Sequence, residues 1–149
     1  MECLICKSNS GEKRISPGPT IYDGKYWLVE HAYPTKIKGW LVIVLKRHSE
    51  ALHNLSVEEF QELSIIESKI VHLEFIALNC EKEYISCYAE KGQFNHIHFH
   101  VFAKPRELSQ EYIGTKSIKL IDTNEEEAIP KEEIIRICNE LHEQIKIIN

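Results

Sequence analysis

Apolar residues recur along this chain in two alternating rhythms, one of period two and one of three to four. The stretches 20–22 and 26–30 read as strands flanking Asp23-Gly24, a dipeptide that favours a tight hairpin turn. Residues 40–45, introduced by Gly39, form a continuous apolar run, which predicts a central strand buried on both faces. Ser56-Val57-Glu58-Glu59 carries a capping-box signature. Behind it Val57, Phe60, Leu63, Ile66, Ile70, Leu73 and Ala77 fall at helical spacing, predicting an amphipathic helix of about six turns against the sheet. A strand over 83–88 and a turn over 89–93 lead into a second period-two stretch at 96–102. Residues 117–121 suit a short edge strand, and Glu125-Glu126-Glu127 is a solvated acidic run. Pro130 at a first helical position, with Glu132 and Glu133 behind it, starts a last helix reaching about Ile147. Its packing face is Ile134, Ile135, Ile137, Leu141 and Ile145. One α+β domain over 1–149 is the expectation.

Composition narrows the function. A 43% hydrophobic and 28% charged chain is ordinary for a globular protein, and 149 residues suffice for a real core. The net charge of −5 argues against non-specific binding to nucleic acid or to a membrane surface. No leader pattern opens the chain and no apolar run approaches the ~18 residues of a membrane span, so neither is expected. Five cysteines without a secretory leader suit a reducing compartment, so the expected setting is cytoplasmic. Cys3-x-x-Cys6 lacks the preceding strand of a thioredoxin-like redox motif. As a metal knuckle it needs two further ligands.

The candidate chemistry lies in His96-Ile97-His98-Phe99-His100-Val101-Phe102. On a strand, residues i, i+2 and i+4 share a face, so the three imidazoles would line up while Ile97, Phe99 and Val101 enter the core. The outer two would stand roughly 13 Å apart, too far to share one metal ion, although two neighbours can. Histidine suits nucleophilic attack on phosphorus, since its pKa near ~6.5 lets one ring stay neutral and a neighbour hold a proton. A structural row or a two-histidine metal half-site is the competing reading.

The motif resembles the H-φ-H-φ-H-φ-φ signature of the histidine-triad superfamily of nucleotide hydrolases and transferases. Gly39-Trp40-Leu41-Val42-Ile43-Val44-Leu45-Lys46-Arg47-His48 is similar to the family's G-H-x-L-V-I-P-K-x-H strand. Cys3-x-x-Cys6 resembles the N-terminal pair of zinc-containing bacterial members. The likeness covers residues 1–105, with 106–149 as an extension carrying the terminal helix. It implies an antiparallel sheet of about five strands with two main helices, in a homodimer joined through sheet and helix. It implies that His98 attacks the α-phosphorus of a nucleotide, that His100 contacts phosphate and assists proton transfer to the leaving group, and that His96 supports the site. The implied zinc is structural, held by Cys3, Cys6, His48 and His96. Implied substrate contacts are Gln93, where relatives have Ser or Thr, Trp40, where they commonly have His, and Lys104 or Arg106 for positive charge. The acidic residue for ribose hydroxyls is out of register: His31 and Ala32 occupy that neighbourhood, with Glu30 nearest. The expected activity is that of a nucleotide phosphoramidase or dinucleoside polyphosphate hydrolase. The alternative is a nucleotide- or partner-binding zinc protein with little turnover.

Overall fold

A computed structural model describes residues 2–148, and in it the two rhythms become a sheet and its covering helices. A short helix α1 (Leu4–Ser10) precedes the strands β1 (Tyr22–Asp23), β2 (Trp27–His31) and β3 (Leu41–Leu45). The long helix α2 (Val57–Leu78) leads to β4 (Lys82–Ser86) and β5 (His98–Lys104), and α3 (Lys131–Ile145) comes last. The strand order is β1-β2-β3-β5-β4, with each neighbouring pair antiparallel. The α+β class, the five strands and the two main helices match the sequence reading.

Local chemistry places these elements. The turn after β1 closes where the Gly24 amide donates to the Trp27 carbonyl at 2.9 Å. Glu62 of α2 then accepts from the amides of Lys25, Tyr26 and Trp27 at 2.6, 2.7 and 3.1 Å, tying the helix to the hairpin. The predicted capping box forms: the Glu59 amide donates to the Ser56 hydroxyl at 3.1 Å, and the Ser56 amide to the Glu59 carboxylate at 2.8 Å. That carboxylate also receives Arg47 at 2.6 and 2.9 Å, which joins the end of β3 to the start of α2.

The sheet separates two environments. Leu41, Ile43 and Leu45 of β3 join Ile97 and Val101 in the main core, under Leu63, Ile66, Ile70 and Leu73 of α2 and Ile134, Ile137 and Leu141 of α3. Phe99 packs on the same side, edge-on to Trp27 with ring centroids 5.9 Å apart. Trp40 and Phe102 belong instead to a smaller cluster with Leu120.

Three parts of the sequence reading need correcting, and one short helix was not foreseen. Residues 117–121 are not an edge strand but part of a 3₁₀ segment, Gly114–Leu120, whose Ser117 and Leu120, three apart, are the buried pair. Pro130 is the cap of α3 rather than its first residue, having extended backbone, and Ile135 is exposed. Val57 and Phe60 leave the buried stripe of α2 and stay in solvent with Ile65, Phe75 and Ile76. Cys3-x-x-Cys6 opens a helix, with Cys3 as its cap and the Cys6 amide donating to its sulfur at 3.3 Å.

Candidate active site and metal centre

The three histidines do not line one face. β5 begins at His98, because the Ile97 amide turns away to donate to the Ser49 carbonyl at 2.8 Å. His96 is thereby carried off the strand and is fully buried. The row of three divides into one residue for a cluster at the N-terminus and two for a pocket.

His98 and His100 remain neighbours, with ring centroids 5.0 Å apart, opposite Val44 and Val42 of β3. Together they line a cavity of about 770 Å³, within the usual size range for small-molecule sites. Its walls are mostly apolar: Ile5 and Ile15 near the N-terminus, Tyr33 and Pro34 after β2, and Ile118, Leu120 and Ile121 after β5. Burial pushes the pKa of His98 down against the opposing hydrogen bond to His96, and pushes that of His100 down to about 4, with the His98 charge adding to it. Both rings are thus neutral bases at physiological pH.

The tautomer of His98 follows from its partner. Its Nδ1 lies 2.7 Å from the His96 carbonyl, which can only accept, so Nδ1 carries the proton and Nε2 the lone pair.

A second constellation lies on the other side of that peptide. Ligand atoms of Cys3, Cys6, His48 and His96 all fall within 4.8 Å of one another. The contacts Cys3 Sγ–His96 Nδ1, Cys6 Sγ–His96 Nδ1 and Cys6 Sγ–His48 Nδ1 are each 3.5 Å. About 3.5 Å is also the sulfur–nitrogen edge of a tetrahedron with ~2.3 Å metal–sulfur and ~2.05 Å metal–nitrogen bonds. The His96 Nε2 donates to the Leu45 carbonyl at 2.7 Å, and the His48 Nε2 faces Glu50 at 3.2 Å, which turns both Nδ1 lone pairs inward. Burial and the neighbouring Cys3 thiol push the pKa of Cys6 up to about 11, a crowding of donors that a divalent cation relieves by displacing protons. The residues fit a metal ion.

No protein-family model and no curated protein sequence matches the chain. Solved structures match over nearly its full length. A Zn-bound histidine triad family protein from Mycobacterium smegmatis is 20% identical, with a TM-score of 0.68 over 97% of this chain and 95% of that one. A hypothetical histidine triad nucleotide-binding protein from Sulfolobus tokodaii is 15% identical, with a TM-score of 0.66 over 97% and 94%. A diadenosine triphosphate hydrolase from Plasmodium falciparum is 11% identical, with a TM-score of 0.64 over 85% and 76%. The chain has the histidine-triad fold.

Within that fold, several residues expected to contact substrate do other work. Lys104 is buried and ion-paired to Glu81 at 2.7 Å, away from the cavity lining. Arg106 donates to the carbonyl and side chain of Asn79 at 3.0 and 3.1 Å, satisfying the end of α2. Gln93 is exposed on a 3₁₀ turn whose neighbour Phe94, not Gln93, lines the cavity. Trp40 does line it but is only 3% exposed, so its indole is more wall than ligand contact. Glu30 is held by Arg14 at 2.7 and 2.9 Å and by Thr20 at 2.9 Å. His31 is spent on the Ala32 carbonyl and the Gly39 amide.

The sequence reading missed the segment after β5, which supplies a cavity wall through Ile118, Leu120 and Ile121. Asp122 of that segment pairs with Lys91 at 2.8 Å, and both residues line the cavity. Apolar residues three apart in a polar stretch were the available signal. Among the described residues no helix is long and apolar enough to cross a membrane.

The His100 environment makes a stability prediction. Neutral His100 in the fold faces an ordinary histidine in the unfolded chain. The unfolded state therefore binds more protons below about pH 6.5, and stability falls as pH drops from there towards 4. The loss from this ring alone reaches about 3 kcal/mol at the acid end. A His100→Gln variant is expected to show a shallower decline of melting temperature with acid; parallel declines would contradict a dry, neutral His100.

Proposed function

We propose that this chain is a histidine-triad nucleotide hydrolase or nucleotidyl transferase that works through a covalent intermediate on His98. The observation that carries the reading is the held Nδ1–H of His98, which leaves Nε2 as a neutral nucleophile in a cavity of nucleotide size. Nε2 forms a bond to the α-phosphorus as the bond to the leaving group breaks, and the leaving group departs with the electron pair. Water then attacks the same phosphorus, losing a proton to solvent as the P–N bond breaks, which releases a nucleoside monophosphate and returns the lone pair to His98. Substrates of this class are nucleoside phosphoramidates and dinucleoside polyphosphates. His100, beside it, contacts the transferred phosphate.

Zinc is the metal we assign to Cys3, Cys6, His48 and His96. Four protein ligands of the Cys₂His₂ kind leave no open position, so bound zinc supplies structure rather than an activated water. Its ligands' role in the chemistry is indirect: the carbonyl of His96 positions His98.

A second reading, binding with little turnover, draws support from the engagement of Glu30 and His31 within the fold. A panel of both substrate types, read for released nucleotide and for a nucleotidyl adduct on His98, separates the two. Turnover with an adduct supports the enzyme; mononucleotide binding without either supports the binding module.

We also propose a homodimer. Val57, Phe60, Ile65, Phe75 and Ile76 leave apolar side chains of α2 in solvent, and β4 lies at the sheet edge with Ile85 exposed. Sedimentation at micromolar concentration is expected to give twice the chain mass, and a monomer there would overturn the assembly.

A further inference from the structure

Trp40 raises a question the fold does not answer: an indole, buried and stacked in an apolar cluster, directs its one polar atom at a candidate active-site imidazole. Its Nε1–H lies 2.9 Å from His100 Nδ1, with the two rings perpendicular and their centroids 5.9 Å apart. Phe102 packs on Trp40 at 4.8 Å, and Leu120 completes the cluster. Trp40 follows Gly39, whose positive φ of 79° and whose N–H, donated to His31 Nε2, fix the entry of the chain into β3. The indole is set from both sides.

An indole N–H can only donate. His100 Nδ1 must therefore accept, and the one proton of the neutral ring sits on Nε2. His98 is held in the opposite state, since its Nδ1–H donates to a carbonyl. Two adjacent rings thus carry complementary tautomers: His98 offers a lone pair at Nε2, and His100 offers a hydrogen at Nε2. Protonating His100 would set an N–H against the N–H of Trp40.

We infer that Trp40 is a positioning residue that holds His100 with its proton on Nε2, making His100 a hydrogen-bond donor and not a general acid. The inference deepens the nucleotidyl-transfer reading and rests on it for its catalytic meaning. A neutral imidazole that gave up its Nε2 proton would become an imidazolate, so His100 stabilises charge on the departing atom without transferring the proton. The leaving group must then depart as a stable anion, taking the electron pair of the broken P–O bond. A phosphate chain does so, whereas an amine must first gain a proton from elsewhere. The substrate class that fits is the phosphoanhydride, a dinucleoside polyphosphate, ahead of the phosphoramidate.

Three measurements on zinc-replete protein decide the matter. In isotope-labelled wild type, long-range proton–nitrogen spectra near neutral pH are expected to show His100 protonated at Nε2 and bare at Nδ1, with a coupling across the hydrogen bond to Trp40 Nε1. A bare Nε2, or no such coupling, overturns the inference without recourse to any variant. Trp40→Phe keeps the aromatic stack and removes the donor. It is expected to admit protonation at His100 Nδ1 while the Nδ1–H signature of His98 persists as a check on folding; an unchanged His100 overturns the inference. With one nucleoside in both substrates, wild type is expected to favour the dinucleoside polyphosphate in kcat/KM by about tenfold or more, and Trp40→Phe to narrow that ratio mainly through kcat. A wild-type preference for the phosphoramidate sinks the leaving-group assignment. Should neither substrate turn over, the nucleotidyl-transfer reading fails while the spectra still decide the tautomer.

Discussion

His98→Ala is expected to lower turnover of every substrate by about four orders of magnitude and to abolish the covalent adduct, because the variant removes the attacking atom itself. The fold should survive the change. His98 is partly exposed on the cavity side of β5, and the hydrogen bond of its side chain to the His96 carbonyl is a local one. Melting temperature and metal content are therefore expected to stay near wild type while the chemistry disappears. In wild type, quenching the reaction early should trap a nucleotidyl group on His98, seen as added mass on the peptide that carries it. Equal turnover by wild type and His98→Ala would show that the reaction runs through another group.

Metal removal is expected to have the second large effect, first on stability and then on catalysis. Cys3 and Cys6 open α1, His48 follows β3, and His96 precedes β5, so one ion would clamp three separate parts of the chain. Chelation or Cys6→Ser should lower the melting temperature by about ten degrees or more, in line with the folding energy that structural zinc commonly supplies. Metal analysis should give a single zinc per chain in wild type and none in the variant. Activity should fall as well, because the His96 carbonyl that orients His98 belongs to a ligand residue. Unchanged melting and full activity after metal loss would leave the cluster as four idle side chains.

Much of this was readable from residue order, and the failures have physical causes. The capping box at Ser56 and Glu59 formed as predicted because both partners lie within one helical turn. The strand read over 40–45 from its continuous apolar run forms at 41–45, and the inward set Ile97, Phe99 and Val101 followed from period two. The row of three imidazoles failed because that period holds only while the strand continues. The Ile97 amide leaves the sheet for the Ser49 carbonyl, and no local pattern announces it. Lys104 and Arg106 looked like phosphate ligands because their partners, Glu81 and Asn79, lie more than twenty residues earlier. The helix α1 spans under two turns of chain, too short for periodicity to register.

The wall formed by Ile118, Leu120 and Ile121 gives the molecule a division of labour. The reacting rings stand on β5, backed by the central strand and the main core, where a change of one methylene is felt. The facing wall comes from a 3₁₀ segment outside the sheet, fastened by the Gly114 amide on Tyr84 and by a solvent-exposed Lys91–Asp122 pair. Surface pairs of that kind contribute little, so apart from the buried Ser117 and Leu120, the latter packed with Trp40 and Phe102, the wall can be reshaped at small cost to folding. Selectivity is thus free to change at residues 114–122 other than Ser117 and Leu120 while the phosphorus chemistry stays where it is. A library confined to those positions should yield altered substrate preference among folded, active proteins.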